Sequence, residues 1–318
     1  MHIARLHGYG VLRVSGADAR SFLHAQLTVD VARLAPDMAR RAGWCSANGR
    51  LLATLLVVPF ADGFLLQLAR DLAATVAARL AKYVLRAKVV IADRSEACAQ
   101  HGLWGEGASG ELVARGLIPP SVDLGVSVSG ERAAVRLGPE RYLVLGDPAL
   151  QPDTDEAQWR LQDIRAGIPS ITSATQDEFV PQMVNLERIG AIDFRKGCYP
   201  GQEVVARAQY RGAVKRRMYR LATATPLEPR PRPVLRFAAG RARRNGRERP
   251  PTARRSRCCR ARQSNRARRS APRPVANRSR CSPCPTHDDA RRRAARRARE
   301  PKPSNRAFAT VVGSARCA

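Results

Sequence analysis

The chain has 318 residues and a formal charge of +29, from 56 basic and 27 acidic side chains. Spread evenly, that charge would point to a nucleic-acid or membrane-surface binder, but it is segregated: residues before 226 carry 28 basic and 22 acidic groups, net +6, while residues 226–318 carry 28 and five, net +23. The bulk charge therefore describes the tail alone, and the length leaves room for about two domains.

Met1 to Val14 has glycines and polar residues where a signal peptide needs an apolar core, and no run approaches a membrane span in length. The expectation is a soluble, cytoplasmic protein. Val11 to Val14 reads as a short strand. Ser15, with Asp18 three residues on, looks like a helix N-terminus, and Phe22, Leu23, Gln26 and Leu27 then share one side of a helix. Leu51 to Val58 is an apolar run of strand length, as in a central buried strand; Phe64 to Leu68 follows a turn at Asp62-Gly63, which makes a β-hairpin. After Asp71, Leu72, Val76, Leu80 and Val84 recur every four residues and predict a helix, with Lys82 and Arg86 where cations suit its dipole. Lys88 to Asp93 reads as a strand.

A Gly-rich, weakly patterned stretch from Gly102 to Gly130 leaves room for one short helix around Leu112. Ala133 to Leu137 and Arg141 to Leu145 flank a Gly138-Pro139 turn as a second hairpin. Asp155 to Ala166 predicts a helix with Trp159 and Ile164 as core contacts, ended by Gly167 and stopped by Pro169. Val214 to Leu221 is a basic segment of strand character. Hairpins mixed with helices argue for an α+β fold over residues 1–225, as one region or as two interleaved subdomains. Dinucleotide, phosphate-loop and nucleophile-elbow motifs are missing, and His2, His7, His24 and His101 have no metal-ligand spacing, so no metal site is assigned. The region's three cysteines, Cys45, Cys98 and Cys198, are widely spaced, which suits free thiols in a reducing compartment.

The most informative segment is the octet Lys196-Gly197-Cys198-Tyr199-Pro200-Gly201-Gln202-Glu203. Two glycines bracket the cysteine, so the backbone bends tightly and then enters a helix with Pro200 near its first turn. That would set Cys198 beside the positive end of a helix dipole and near Lys196, both of which favour thiolate. A nucleophile, a redox thiol and a soft-metal ligand are all open to such a cysteine; Gln202 and Glu203 could orient a polar ligand. A plain tight turn with a small buried cysteine accounts for the same residues.

The segment Asn185 to Arg217 resembles the YgfZ family, whose hallmark K-G-C-Y-x-G-Q-E is matched at all seven specified positions. Weaker likeness lies in Gly16 to Asp30, Cys45 to Arg50 and Asp163 to Pro169, so it covers essentially residues 1–225. It implies a relative of the glycine-cleavage T-protein, with an α+β folate-binding fold, tetrahydrofolate or a derivative as cofactor, and a link to iron–sulfur enzymes and through them to tRNA modification. It singles out Cys198 as the acting residue, with the remaining motif positions Lys196, Gly197, Tyr199, Gly201, Gln202 and Glu203 around it. Glu187, with Asn185 in the same segment, falls where the superfamily's folate-contacting glutamate would stand. The implied partners are iron–sulfur proteins or their assembly machinery, with no membrane; direct nucleic-acid contact is expected only if the basic tail is genuine.

Two activities compete. One is a folate-dependent accessory factor for iron–sulfur proteins acting through Cys198; the other is a tetrahydrofolate-dependent aminomethyltransferase. The T-protein's segment resembling G-G-I-x-D-D supplies carboxylates near the folate, whereas this chain offers Ala53 and Thr54 there, which favours the accessory factor. A third reading makes the tail an RNA-binding arm.

Residues 226–318 take 27 of their 28 basic residues as Arg, with recurrent Pro and no periodic apolar runs. Such a composition buries too little apolar surface to offset its ordering entropy, so disorder is expected. In the family a C-terminal β-barrel domain would follow here, and the abrupt switch is what a change of reading frame in a GC-rich gene would produce. Cys281-Ser282-Pro283-Cys284 with His287 makes half a zinc site without a suitably spaced fourth ligand. Translating the underlying DNA in its other two frames should yield strand-length apolar alternation in one of them; if neither does, the basic arm stands as genuine.

Overall fold

The computed structural model describes residues 1–212, 214, 216–223 and 307–314. Its ten strands up to Leu145 form two antiparallel five-stranded sheets. The first strand, β1 (His2–Arg5), belongs to one sheet and the next, β2 (Tyr9–Ser15), to the other. The second sheet then builds up from β3 (Arg40–Cys45), β4 (Leu51–Phe60), β5 (Gly63–Ala69) and β6 (Val90–Asp93), in the order β3-β4-β5-β2-β6. The chain returns to the first sheet with β7 (Gln100–Trp104), β8 (Val126–Ser129), β9 (Arg132–Gly138) and β10 (Arg141–Leu145), in the order β1-β7-β10-β9-β8.

The long apolar run of β4 follows from its position. Leu51, Ala53, Leu55 and Val57 enter a core with α1 (Ala19–Gln26) and α2 (Ala73–Ala81), while Leu56, Val58 and Phe60 enter a second core between the sheets. Both faces are covered, so the usual alternation of an antiparallel strand is suppressed. The second core takes Leu143 and Leu145 of β10; Tyr142 and Val144 of the same strand turn to a third, under α3 (Ala108–Ala114). The layers therefore run helix, sheet, sheet, helix.

Several local expectations are refined. The β4–β5 hairpin turns at Ala61-Asp62, since Phe60 pairs with Gly63; a Cβ on Gly63 would lie 2.2 Å from the Val14 carbonyl oxygen, which is why glycine stands in the strand. Asp18 precedes α1 without capping it, because its carboxylate accepts the Lys88 N–H at 2.7 Å instead. The helix α4 (Glu156–Arg165) is capped by Asp155, whose carboxylate accepts from the Gln158 N–H. The Gly102–Gly130 stretch holds the end of strand β7 and all of β8 as well as α3; glycine at 102 admits the Trp159 ring, since a Cβ there would lie 2.2 Å from it.

Beyond the sheets come α5 (Gln202–Tyr210) and β11 (Arg216–Thr223), which pairs antiparallel with β12 (Ala307–Ser314). Residues 307–314 thus form a strand inside the stretch read as disordered; their β-favouring Phe308, Thr310, Val311 and Val312 suit it. The rest of the tail, with Cys281, Cys284 and His287, lies outside the described residues.

Trp159 carries α4 into the core between the sheets at 2% exposure, with the Arg141 guanidinium 4.2 Å from its ring centre. Trp159→Ala should cost about 3–5 kcal/mol in a denaturant titration, the range for emptying a large aromatic site.

Candidate functional site

The β3–β4 connection, Ser46 to Arg50, closes through Ser46 N–H to Arg50 O and Gly49 N–H to Ser46 O, with Gly49 at φ +69°. The octet docks on this loop backbone to backbone. A Cβ on Gly201 would lie 2.4 Å from Ser46 O and 2.5 Å from Gly49 Cα, and one on Gly49 would lie 2.7 Å from Val204 Cβ. Gly201 also takes φ +77°. Space and backbone angle both require glycine at these two positions.

The docking sorts the octet into buried and exposed members. Tyr199 is buried; burial, and after it the nearby Cys45, raises its hydroxyl pKa. Lys196 is buried as well and sends its ammonium to the Leu27 carbonyl at 2.8 Å and to the His24 carbonyl, binding the acceptor end of α1. The Tyr199 ring lies under it at 4.8 Å. Gly197 is exposed beside the His24 imidazole, whose Nδ1 is 3.1 Å from the Asp30 carboxylate. Cys198 is exposed, Gln202 half-buried and Glu203 exposed in the first turn of α5.

This geometry corrects one expectation and gives Lys196 a further role. Helix α5 begins at Gln202, not around Pro200, because the left-handed turn at Gly201 intervenes; Cys198 therefore stands four residues ahead of the helix rather than at its positive end. Lys196 is committed to two carbonyls on α1 and serves as an internal tie. The thiols also differ. Burial pushes Cys45 up to about 12 and raises Cys98, while Cys198 is the exposed one of the three.

Asn185 and Glu187 form a second group. Asn185 takes φ +60° between two 3-10 turns, Pro181–Val184 and Leu186–Ile189, and donates its amide to Met218 O of β11 at 2.9 Å. Arg217, which motif reading missed, donates to Asn185 Oδ1 at 3.1 Å and Gln182 O at 3.0 Å, and pairs with the Glu187 carboxylate. Gln182 is fully buried and ties the turn to α5 through Val205 O at 2.7 Å. Gln182 Oε1 and Glu187 Oε2 are buried with no hydrogen-bond partner among the described residues. Thr28, also missed, links this region to β3, accepting from Gly43 N–H at 2.8 Å and donating to Ala191 O at 2.6 Å. No spacing signals Arg217 or Thr28; only the folded neighbours give them a role.

Ala53 is fully buried within β4, and Thr54 Oγ1 accepts the Ile171 N–H at 3.0 Å, so neither position offers a carboxylate. A cleft of about 270 Å³ lined by Arg5, His7, Arg70, Ser95, Glu96 and Cys98 contains none of the site residues. Among the described residues no group of His, Cys, Asp and Glu could hold a metal, and no helix is long and apolar enough to cross a membrane.

Comparison with solved structures defines the class. The glycine cleavage system aminomethyltransferase T from Bartonella henselae matches with a TM-score of 0.53 at 14% identity, over 69% of this chain and 66% of that one. The described residues thus have the α+β fold of that protein. Among curated proteins the chain is 37% identical over 233 residues to a tRNA-modifying protein YgfZ of Edwardsiella ictaluri, covering 68% of this chain and 70% of that protein. It is 34% identical over 238 residues to its namesake in Vibrio vulnificus, covering 71% and 72%. No protein-family model matches. The chain belongs to the YgfZ family.

Burial pushes the Lys196 ammonium from 10.5 down to about 8. Between those values the unfolded chain binds more protons than the folded one, so this residue makes stability rise with pH. Lys196→Met should lack that rise, so the gap between wild-type and variant denaturation midpoints should widen from pH 8 to 9.5. It should also cost about 1–3 kcal/mol for the stranded carbonyls.

Proposed function

We propose that the chain is a folate-binding protein of tRNA modification, acting as an accessory factor for iron–sulfur proteins through the Cys198 thiol. The observation that carries the proposal is the sorting of thiols by the docked octet: Cys45 is buried and held protonated, while Cys198 is exposed on a turn locked by Lys196, Tyr199 and Gly201. A thiol on a rigid, open turn suits exchange with a partner's thiols or cluster. The fold class and family membership support the tRNA-modification setting, and the family resemblance supplies the iron–sulfur link.

The residues fit a folate. Glu187 Oε2 and Gln182 Oε1 are buried acceptors without partners, and a pterin's amino and ring N–H groups are donors of the complementary kind. Arg217 pairs with the Glu187 carboxylate and holds it in place, while Asn185 fixes Arg217 in turn. When bound, the folate would supply one-carbon or reducing chemistry; the chain's part is to bind and orient it. Aminomethyl transfer is disfavoured because Ala53 and Thr54 leave no carboxylate where the T-protein motif has them.

Tetrahydrofolate titration should show binding by the wild-type chain, weakened about tenfold or more in Glu187→Gln, as expected for a hydrogen bond to a charged group. Cys198→Ser should keep folate binding and lose complementation of a bacterial strain lacking its own family member. Release of one-carbon units from an aminomethyl donor would overturn the accessory reading; full complementation by Cys198→Ser would remove the thiol from it.

A further inference from the structure

The net charge of residues 1–225 has a single source. Residues 1–184 hold 19 basic and 19 acidic groups, and residues 185–220 hold nine basic against three acidic, the whole of the +6. Structure sharpens the imbalance. Of the three acids, Glu187 is neutralised by Arg217, the Asp193 carboxylate accepts the Arg195 backbone N–H, and Glu203 is exposed in the first turn of α5. Arg188, Arg195, Arg207, Arg211 and Arg216 are exposed, and none has an ion pair or side-chain hydrogen bond among the described residues. Elsewhere in the fold, Arg13, Arg70, Arg115, Arg136, Arg141 and Arg160 each meet a carboxylate. The segment carrying the octet thus gathers five such guanidinium groups, whereas the exposed and equally unpaired Arg40, Arg86 and Arg94 are spread singly along the rest of the chain.

An aromatic platform lies among them. Tyr210 is 71% exposed and is held by Phe194 edge-on, with ring centres 5.9 Å apart and planes at 68°. Glu203, Arg207 and Tyr210 stand at helical spacings of four and three on α5, so they share its outer face, and Arg211 follows at the helix end. The Phe194 contact brings its neighbour Arg195 to the same end. A large ring kept open to water by a second ring, flanked by free guanidinium groups, combines base stacking with phosphate pairing.

We propose that this face, formed by α5 and the Phe194-Arg195 turn, binds RNA directly, with phosphates on Arg195, Arg207 and Arg211 and an unpaired base on Tyr210. The proposal deepens the tRNA-modification reading and rests on it for the kind of RNA. It is independent of Cys198 and folate, although Cys198 stands only four residues ahead of α5. From the sequence, nucleic-acid contact is expected only in the tail, and there only if the tail is genuine, because averaging over 225 residues dilutes a +6 that lies wholly within residues 185–220.

The tail's 28 basic residues bind polyanions by themselves, so the test must resolve position. The full chain is photocrosslinked to bacterial tRNA carrying 4-thiouridine, and the crosslinked peptides are mapped. Crosslinks are expected in the peptide bearing Tyr210; Tyr210→Ala should remove them and leave tail crosslinks intact. Arg207→Glu with Arg211→Glu should weaken tRNA binding about tenfold at low salt and lower the salt slope by about two. Unchanged thermal melting and tetrahydrofolate binding in these variants would show that the fold and folate site survive, separating failure here from failure of the folate reading. Crosslinks confined to residues 226–318 would overturn the proposal. So would competition by poly-glutamate as effective as that by unlabelled tRNA, which would make the face a docking site for acidic proteins.

Discussion

The contact between the Gly201 and Gly49 backbones is the constraint on which the site depends. A side chain at either position would strike main chain or a packed valine, and both residues take positive φ, so the contact exists only with glycine at both ends. Once it forms, the octet has no freedom to rotate as a loop would. Tyr199 goes under the Lys196 ammonium, Lys196 reaches the open carbonyls of α1, and Cys198 is left outside. The exposed thiol is therefore a product of backbone docking between two turns about 150 residues apart in sequence.

Charge is handled in two opposite ways within a short stretch of chain. Arg217 is spent inward on Glu187, Asn185 and the Gln182 carbonyl, which spreads the cost of burying an ion pair over several hydrogen bonds. Even so, two acceptor oxygens stay unpaired, and each is a penalty that a donor-rich ligand would relieve. Ligand binding at that group and stability of the turn holding it are therefore linked. The arginines of the α5 face are left in water instead, where a guanidinium costs little and remains available to a partner.

The elements legible from the sequence were those with strong local pattern: the β4–β5 and β9–β10 hairpins, the four-residue apolar spacing of α2, and the helix α4 with its stop at Gly167 and Pro169. Strands β1, β3, β7 and β8 gave no such signal. Strand β3 reads Arg-Arg-Ala-Gly-Trp-Cys, without β-branched residues, and is a strand because β4 offers it a full ladder of partners. Strand β7 holds a glycine between polar Gln100 and His101 and apolar Leu103; it is extended because β1 and β10 pair with it on both sides and Trp159 fills the space Gly102 leaves. Strand β1 is four residues long and has no meaning apart from that sheet. In the site, the octet, Asn185 and Glu187 were legible as motif, whereas Arg217, Gln182 and Thr28 were not.

By itself the sequence determined the family, through seven matched positions of one octet, the α+β character, through hairpins set among helices, and the break in composition near residue 226. Tertiary structure alone decided what the octet's residues do. Local sequence controls backbone preference over a few residues, but burial and hydrogen bonding depend on which distant segments arrive. Lys196 lies two residues from Cys198 and reads as its neighbouring cation; the fold also delivers Leu27 from 169 positions away, and the lysine becomes a tie to α1 as well.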